Sequence, residues 1–352
     1  MTRLNVLVLC GGESAEHEVS LMSAKSIQRF MSKDRYNPIM VGIGKKGEWL
    51  EGEPFFINED DPSKIALNPG LREVCLEKGM IGDRKIDVVF PIIHGTLGED
   101  GCLQGFLQMH HLPFVGSSVL GSAVGMDKDI MKRLFLQGGI PCARYITLYH
   151  WQKRRPSFEE VKKELGLPLF VKPCNLGSSL GISRCYDAEE YQKAVETAFE
   201  FDNKVVVEEN IEGREIEVSL LGDEDLLASL PGEIIPPGGF YSYDSKYIQS
   251  EETKLVAPVE LDEASTSLIQ ETAKKAFRLL ELSGLTRADF FLKKNGEIYL
   301  NEVNTLPGFT SISMYSKLLE ATGISYPELI DRLLELALKR FAVERKLKRF
   351  RG

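Results

Sequence analysis

The chain has 352 residues, 43% hydrophobic and 27% charged, with a formal net charge of −9. These are the proportions of a globular protein able to bury a large core, and the length suits two or three domains. The acidic balance excludes nucleic acid as a general partner, and no apolar run reaches the roughly 18 residues of a membrane span, so a cytoplasmic protein with no integral membrane segment is expected.

In chain order, "LNVLVLC" (4–10) reads as a first β-strand, because acids rather than a small-residue cleavage site follow it. Gly11-Gly12 turns the chain into the helical pattern "HEVSLMSAKSIQRFM" (17–31), and "IDVVFPIIHG" (86–95) followed by "EDGCLQGFLQMH" (99–110) repeats the plan. Strands alternating with helices mean an α/β fold. Glu16 stands at the start of the first helix, where an acid complements the dipole or grips a ligand's ammonium. His94 ends a strand, where open α/β sheets bind ligands, whereas His17, His110, His111 and His150 read as structural. "GIGKKG" (42–47) matches G-x-G-x-x-G, but "EWLEG" continues as a strand, so it is a hairpin turn and not a nucleotide loop.

A first unit is expected over 1–120, closing in the Gly/Ser-rich stretch "FVGSSVLGSA". A second, 121–208, opens with the helix "MDKDIMKRLFLQGG" and carries strands near 144–148, 168–173, 180–184 and 204–208. The third, 209–352, ends in long helices and a basic tail, "LKRFAVERKLKRFRG", read as a solvated face that suits a helix C-terminus. The six cysteines show no metal spacing and read as reduced thiols. "PPGGFYSYDSKYIQSEE" (236–252) is too long for a connector and is expected to be a lid.

Three stretches carry chemistry. In "LFVKPCNLGSSLGIS" (169–183) a strand ends at Lys172, and Gly177, Ser178 and Ser179 follow in a loop whose backbone N–H groups could close on phosphate; the alternative is a Gly-rich hairpin with a surface lysine. In "VVVEENIEGREIEVS" (205–219) Glu208 and Glu215 could accept from an adenine amino group and a ribose, though charged hairpin loops look the same. The third is a hairpin, "TRADFFLKKNGEIYLNEVN" (286–304). Asn295-Gly296 predicts a two-residue type I′ turn with Lys294 facing Glu297, which sets Asp289 opposite Glu302 and Arg287 opposite Asn304. All four side chains then share a face, together with Phe291, Ile298 and Leu300. Directly opposed carboxylates repel, and a magnesium ion between hard oxygen ligands would relieve them. Arg287 beside it would stabilise a developing anion.

These segments, with "GGESAEHEVS" (11–20), "SKY" (245–247) and "NEVNTLPGFTSIS" (301–313), occur in the order and spacing of one family across nearly the whole chain. The sequence resembles the D-alanine–D-alanine ligases of the ATP-grasp superfamily. The resemblance implies a three-domain ATP-grasp fold with an N-terminal Rossmann-like domain, ATP between the central and C-terminal domains, and D-alanine as substrate. It implies Asp289, Glu302 and Asn304 as ligands of magnesium, two ions being expected and manganese an alternative. Lys128, Lys172 and Lys246 match phosphate-binding lysines. Glu208, Glu209, Ile211 and Glu215 match the adenine and ribose contacts, Glu209 standing where some relatives carry lysine. Glu16 matches the residue holding the first D-alanine, linked through Ser178 to Tyr247 of the lid, with His94 also at the substrate. Arg287 and Gly308 match the oxyanion site, and Ser313 and Met314 the second substrate's carboxylate. A homodimer is a family expectation. A D-alanine–D-lactate or D-alanine–D-serine ligase, or a non-catalytic ATP-binding regulator, are the alternatives.

Overall fold

The computed structural model describes residues 3–58, 61, 64–178, 180–235 and 253–348. The expected lid, with Lys246 and Tyr247, and Ser179 of the Gly/Ser loop lie outside the described residues.

Three main sheets follow one another along the chain. The first runs in the order Val88–Pro91, Leu4–Gly11, Tyr36–Ile43, Trp49–Glu51, Arg72–Glu73. Its first three strands are parallel, and the hairpin containing "GIGKKG" adds the antiparallel edge. Leu7, Leu9 and Val41 are fully buried, as expected of strands covered on both faces. The second sheet is antiparallel, in the order Tyr145–Tyr149, Lys204–Glu209, Leu169–Pro173, Ser183–Cys185. Its edge strand is shorter than the expected 180–184. Gly181 has φ +70°, which breaks the extended chain before Ser183. The third sheet runs Lys254–Val256, Gly232–Ile235, Arg214–Gly222, Gly284–Leu292, Ile298–Asn304.

The last two strands form the hairpin, and its turn differs from the expected one. Lys293 pairs with Glu297, Lys293 N donating to Glu297 O (2.9 Å) and Gly296 N to Lys293 O (3.0 Å). A type I′ turn needs positive φ at both central residues, and of Asn295 and Gly296 only Gly296 has it, at +85°. The loop is therefore three residues long, with glycine in the left-handed position, and Lys294 does not face Glu297. The register is one residue off through Leu292↔Ile298, Phe291↔Tyr299 and Phe290↔Leu300. A β-bulge at Asn301 then restores it, so that Asp289 does oppose Glu302 and Arg287 opposes Asn304. Two deviations cancel. They also move Ile298 and Leu300 off the expected face: both are buried in the core behind the sheet with Phe290 and Leu292.

The cores are shared unevenly. One joins Val6, Val8 and Phe90 of the first sheet to Leu285, Phe309, Tyr315 and the helix Tyr326–Glu344. The helix Lys128–Gln137, assigned above to the central unit, buries Met131 and Phe135 against the third sheet. The second sheet has a core of its own, built from Leu148, Val171, Tyr191 and Val207. Cys10, Cys142, Cys174 and Cys185 are buried free thiols, and burial pushes the Cys185 thiol up to about 11. Among the described residues no helix is long and apolar enough to cross a membrane.

Candidate active site

A cleft of about 340 Å³ opens between the second and third sheets. Phe170, Ile182 and Phe291 give it apolar walls, while Lys172, Glu208, Glu215, Arg287, Asp289 and Glu302 line its polar side. Ile211 and Glu209 stand at its edge. A larger groove of about 800 Å³ beside Phe114 and the end of the last helix contains none of the candidate residues.

Strand alternation explains the polar wall. In Arg214–Gly222 the residues Ile216 and Val218 turn into the core, so Glu215 and Glu217 turn toward the cleft. Across the ladder, Asp289 and Arg287 do the same. The bulge adds Asn301 beside Glu302, so two consecutive side chains reach the cleft.

Both opposed carboxylates already have cationic partners. Arg287 donates through Nε and Nη2 to the two oxygens of Asp289, both at 2.7 Å, and its Nε lies 3.2 Å from Glu217 Oε2. Asn304 Nδ2 donates to Asp289 Oδ2 (2.8 Å). Lys128 Nζ lies 3.5 Å from Glu302 Oε2 and donates to Leu176 O of the Gly/Ser loop (2.7 Å). The repulsion expected between Asp289 and Glu302 is relieved here by side-chain cations, Arg287 on one and Lys128 beside the other. The donor set still fits a hard dication. Two carboxylates and an amide oxygen, once Asn304 turns its carbonyl inward, leave most of the shell to substrate phosphates and water. Among the described residues no three His, Cys, Asp or Glu side chains form a closed metal cage.

Glu208 is buried and shared by two ammonium groups: Lys172 Nζ donates to Oε2 (2.8 Å), and Lys132 Nζ lies 3.2 Å from Oε1. Burial would raise the Glu208 carboxyl, but the two lysines outweigh it and hold it below its ordinary value. Burial would lower Lys172, and Glu208 keeps it above. Glu209 is tied to Arg144, whose N–H and Nε donate to it at 2.8 and 2.7 Å.

Glu16 stands at the N-cap position of the helix His17–Phe30 without a side-chain capping bond, and its carboxylate accepts from Ser178 Oγ, so the first unit and the Gly/Ser loop meet there. Ser178 has φ +52°, an uncommon conformation for a residue with a side chain. A Cβ on Gly95 or Gly177 would stand 3.0 Å from Glu16 Oε2, so both glycines leave room for that carboxylate. His94 is buried, Nδ1 facing Leu306 O (3.0 Å) and Glu99 Oε1 (3.6 Å), Nε2 facing Ser23 Oγ (3.1 Å). Ser23 Oγ also accepts from Phe309 N (3.2 Å), so this group supports the loop carrying Gly308. Ser313 precedes the helix Met314–Ala321, its Oγ accepting from Thr310 N (3.0 Å), and Met314 is buried. The start of that helix favours an anion.

Sequence reasoning missed Lys132, Glu217 and Asn301. Lys132 was legible as a lysine four residues after Lys128 on the face that also carries Met131 and Phe135, and Glu217 as the strand neighbour of Glu215. Asn301 depended on the bulge.

Two family models match, the N-terminus of D-Ala–D-Ala ligase over residues 5–117 and its C-terminus over residues 134–335. The chain belongs to the D-alanine–D-alanine ligase family. It is 48% identical to the D-alanine–D-alanine ligase of Shouchella clausii (strain KSM-K16), covering 99% of this chain and 98% of that one. It is 46% identical to D-alanine–D-alanine ligase A of Escherichia coli (strain K12), covering 99% of both. The structure of the D-alanine–D-alanine ligase from Coxiella burnetii superposes with a TM-score of 0.85 at 36% identity over 98% of each chain. The VanG D-Ala:D-Ser ligase from Enterococcus faecalis does so with 0.82 at 33% identity, over 96% of this chain and 100% of that one. Members of this family are ATP-dependent ligases of small molecules, and its fold is the ATP-grasp α/β fold inferred from the motifs.

Proposed function

We propose that this protein joins two molecules of D-alanine at the expense of ATP, giving D-alanyl-D-alanine for peptidoglycan precursors. A carboxylate oxygen of the first D-alanine attacks the γ-phosphorus and ADP leaves. The amine of the second attacks the resulting acyl phosphate, losing a proton, and inorganic phosphate departs. Magnesium, held by Asp289, Glu302 and Asn304, would supply charge neutralisation on the phosphates; two ions are the family expectation, with manganese as a substitute.

The observation that supports the reading is Lys128, which reaches from Leu176 O, two residues before Ser178, to Glu302 on the strand beside Arg287. Glu16 with Ser178 offers an anionic seat for an ammonium. Arg287, on the adjoining wall, offers a rigid fork for the oxyanion of the second step once Asp289 turns to a metal. A protein that only bound ATP would need neither, which disfavours the regulatory alternative. Lys128 and Lys172 face the phosphates, Glu215 the ribose, and Glu208, Glu209 and Ile211 the adenine side. Gly308 N–H completes the oxyanion site, while His94 acts beneath the Gly308 loop. Ser313 and Met314 receive the second carboxylate. We infer a cytoplasmic homodimer, in keeping with the family.

Phosphate release with ATP and D-Ala, L-Ala, D-Ser, or D-Ala plus D-lactate tests this. D-Ala alone should support turnover best, and L-Ala should fail. Faster turnover with D-Ser or D-lactate as acceptor would reassign the protein to one of its sister ligases.

A further inference from the structure

We propose that Lys132 is a positioning residue for nucleotide binding: by taking one oxygen of the Glu208 carboxylate, it leaves the charge of Lys172 for the phosphates. The inference rests on the reading that the cleft holds ATP.

Lys132 lies one helical turn beyond Lys128 and is 1% exposed, on a face otherwise given to Met131 and Phe135. Charged residues so deeply buried are rare and need partners. Lys132 has two. Its Nζ stands 3.2 Å from Glu208 Oε1 and donates to Asn301 O (3.5 Å), a carbonyl on the bulge that interrupts the hairpin ladder. Lys172 reaches the same two residues from the cleft side, at Glu208 Oε2 (2.8 Å) and Asn301 Oδ1 (3.5 Å). Two ammonium groups thus clasp one carboxylate and one bulged residue.

The charges explain the arrangement. A buried lysine and glutamate alone form a neutral pair, and a phosphate approaching Lys172 would have to draw it from Glu208, the nearest of the carboxylates acting on it. With Lys132 as the second cation the trio carries one net positive charge. Lys172 can then turn to a phosphate while Glu208 keeps a cation 3.2 Å from Oε1. Lys132 itself does not line the cleft, so it acts through Glu208 and Lys172. Its hold on Asn301 also steadies the strand beside Glu302.

The test is calorimetric titration of the full chain with Mg-ADP, for wild type, K132M, E208Q and K132M/E208Q, with thermal denaturation of each. K132M should bind Mg-ADP about ten-fold more weakly. Introducing the same change into E208Q should cost little further affinity, because without the carboxylate Lys172 is free in both. A lysine that merely filled the core would lower the melting temperature without weakening Mg-ADP. Should K132M fail to fold, K132Q, which keeps a donor without the charge, takes its place in both arms. Unchanged Mg-ADP affinity in the folded single variant, or an equal loss on adding K132M to E208Q, overturns the proposal. Failure of the wild type to bind Mg-ADP would instead remove the nucleotide reading on which it stands.

Discussion

Arg287 fastens Asp289 in the resting protein and should be displaced from it when a metal binds, and Arg287→Met isolates that exchange. The guanidinium neutralises Asp289 and Glu217 where the three side chains are 18%, 16% and 4% exposed. Removing one partner of a buried ion pair costs roughly 3–5 kcal/mol, and the residual exposure of Arg287 and Asp289 puts this case at the low end, about 3 kcal/mol. The variant should therefore unfold at lower urea than wild type when measured in EDTA. With saturating magnesium and ADP the deficit should shrink, since a dication on Asp289 does part of what the guanidinium did. Turnover with ATP and magnesium should be lost, because the oxyanion donor is gone. A deficit of equal size with and without magnesium-ADP would refute the exchange, as would no deficit in EDTA.

Glu302→Gln should abolish turnover yet change apo stability by less than about 1 kcal/mol. Its contact with Lys128 is a loose 3.5 Å ion pair, and Lys128 keeps Leu176 O; steady-state kinetics and urea melts check both halves. Lys172→Ala should weaken ATP binding far more than Lys45→Ala, since Lys45 serves only an exposed pair with Glu18 on a hairpin turn; equal effects in a nucleotide titration would displace the phosphate site. Stability should also carry a pH signature from His94 and Glu99. Burial opposes the charged ring, but Glu99, aided by Glu16, holds His94 above its ordinary value, while burial raises Glu99 too. Both groups bind a proton more readily when folded, so what they contribute is complete below the unfolded carboxylate value and is lost as pH rises, the histidine part above about 6.5. Glu99→Gln should flatten the decline in urea stability between pH 6 and 8; parallel slopes for variant and wild type would count against the pairing.

Much of the site was legible because its residues sit on regular elements. Glu16 at a helix start and Lys172 at a strand end follow from periodicity, whereas Asp289 meets Glu302 because the longer turn and the bulge offset each other. The hairpin shows the limit. Asn295-Gly296 marks a turn, but which turn forms depends on whether asparagine adopts positive φ, and the bulge at Asn301 meets lysines 129 and 169 positions away, while Leu300 N beside it donates to Pro141 O (2.8 Å). Lys132 was legible as a lysine on an apolar helix face, but its partner was not: Glu208 lies 76 positions on, and only tertiary packing brings them together. The resting contacts of Arg287 were equally out of reach, since strand alternation gives a side chain's direction and not its choice among three carboxylates.

The uneven sharing of the cores has a mechanical consequence. Pulling the first sheet away from the C-terminal helices would expose Phe90, Phe309 and Tyr315 to water and break the His94 contact with Leu306, so those two parts must travel as one body. The second sheet keeps its apolar side chains to itself and meets the rest through lysines, carboxylates and a serine. Polar contacts of that kind can be exchanged for contacts with a nucleotide or with water at little cost, whereas a shared apolar core cannot. Opening and shutting the cleft would therefore fall to the second sheet, swinging about the links at 138–144 and 210–213 like a jaw on a fixed skull.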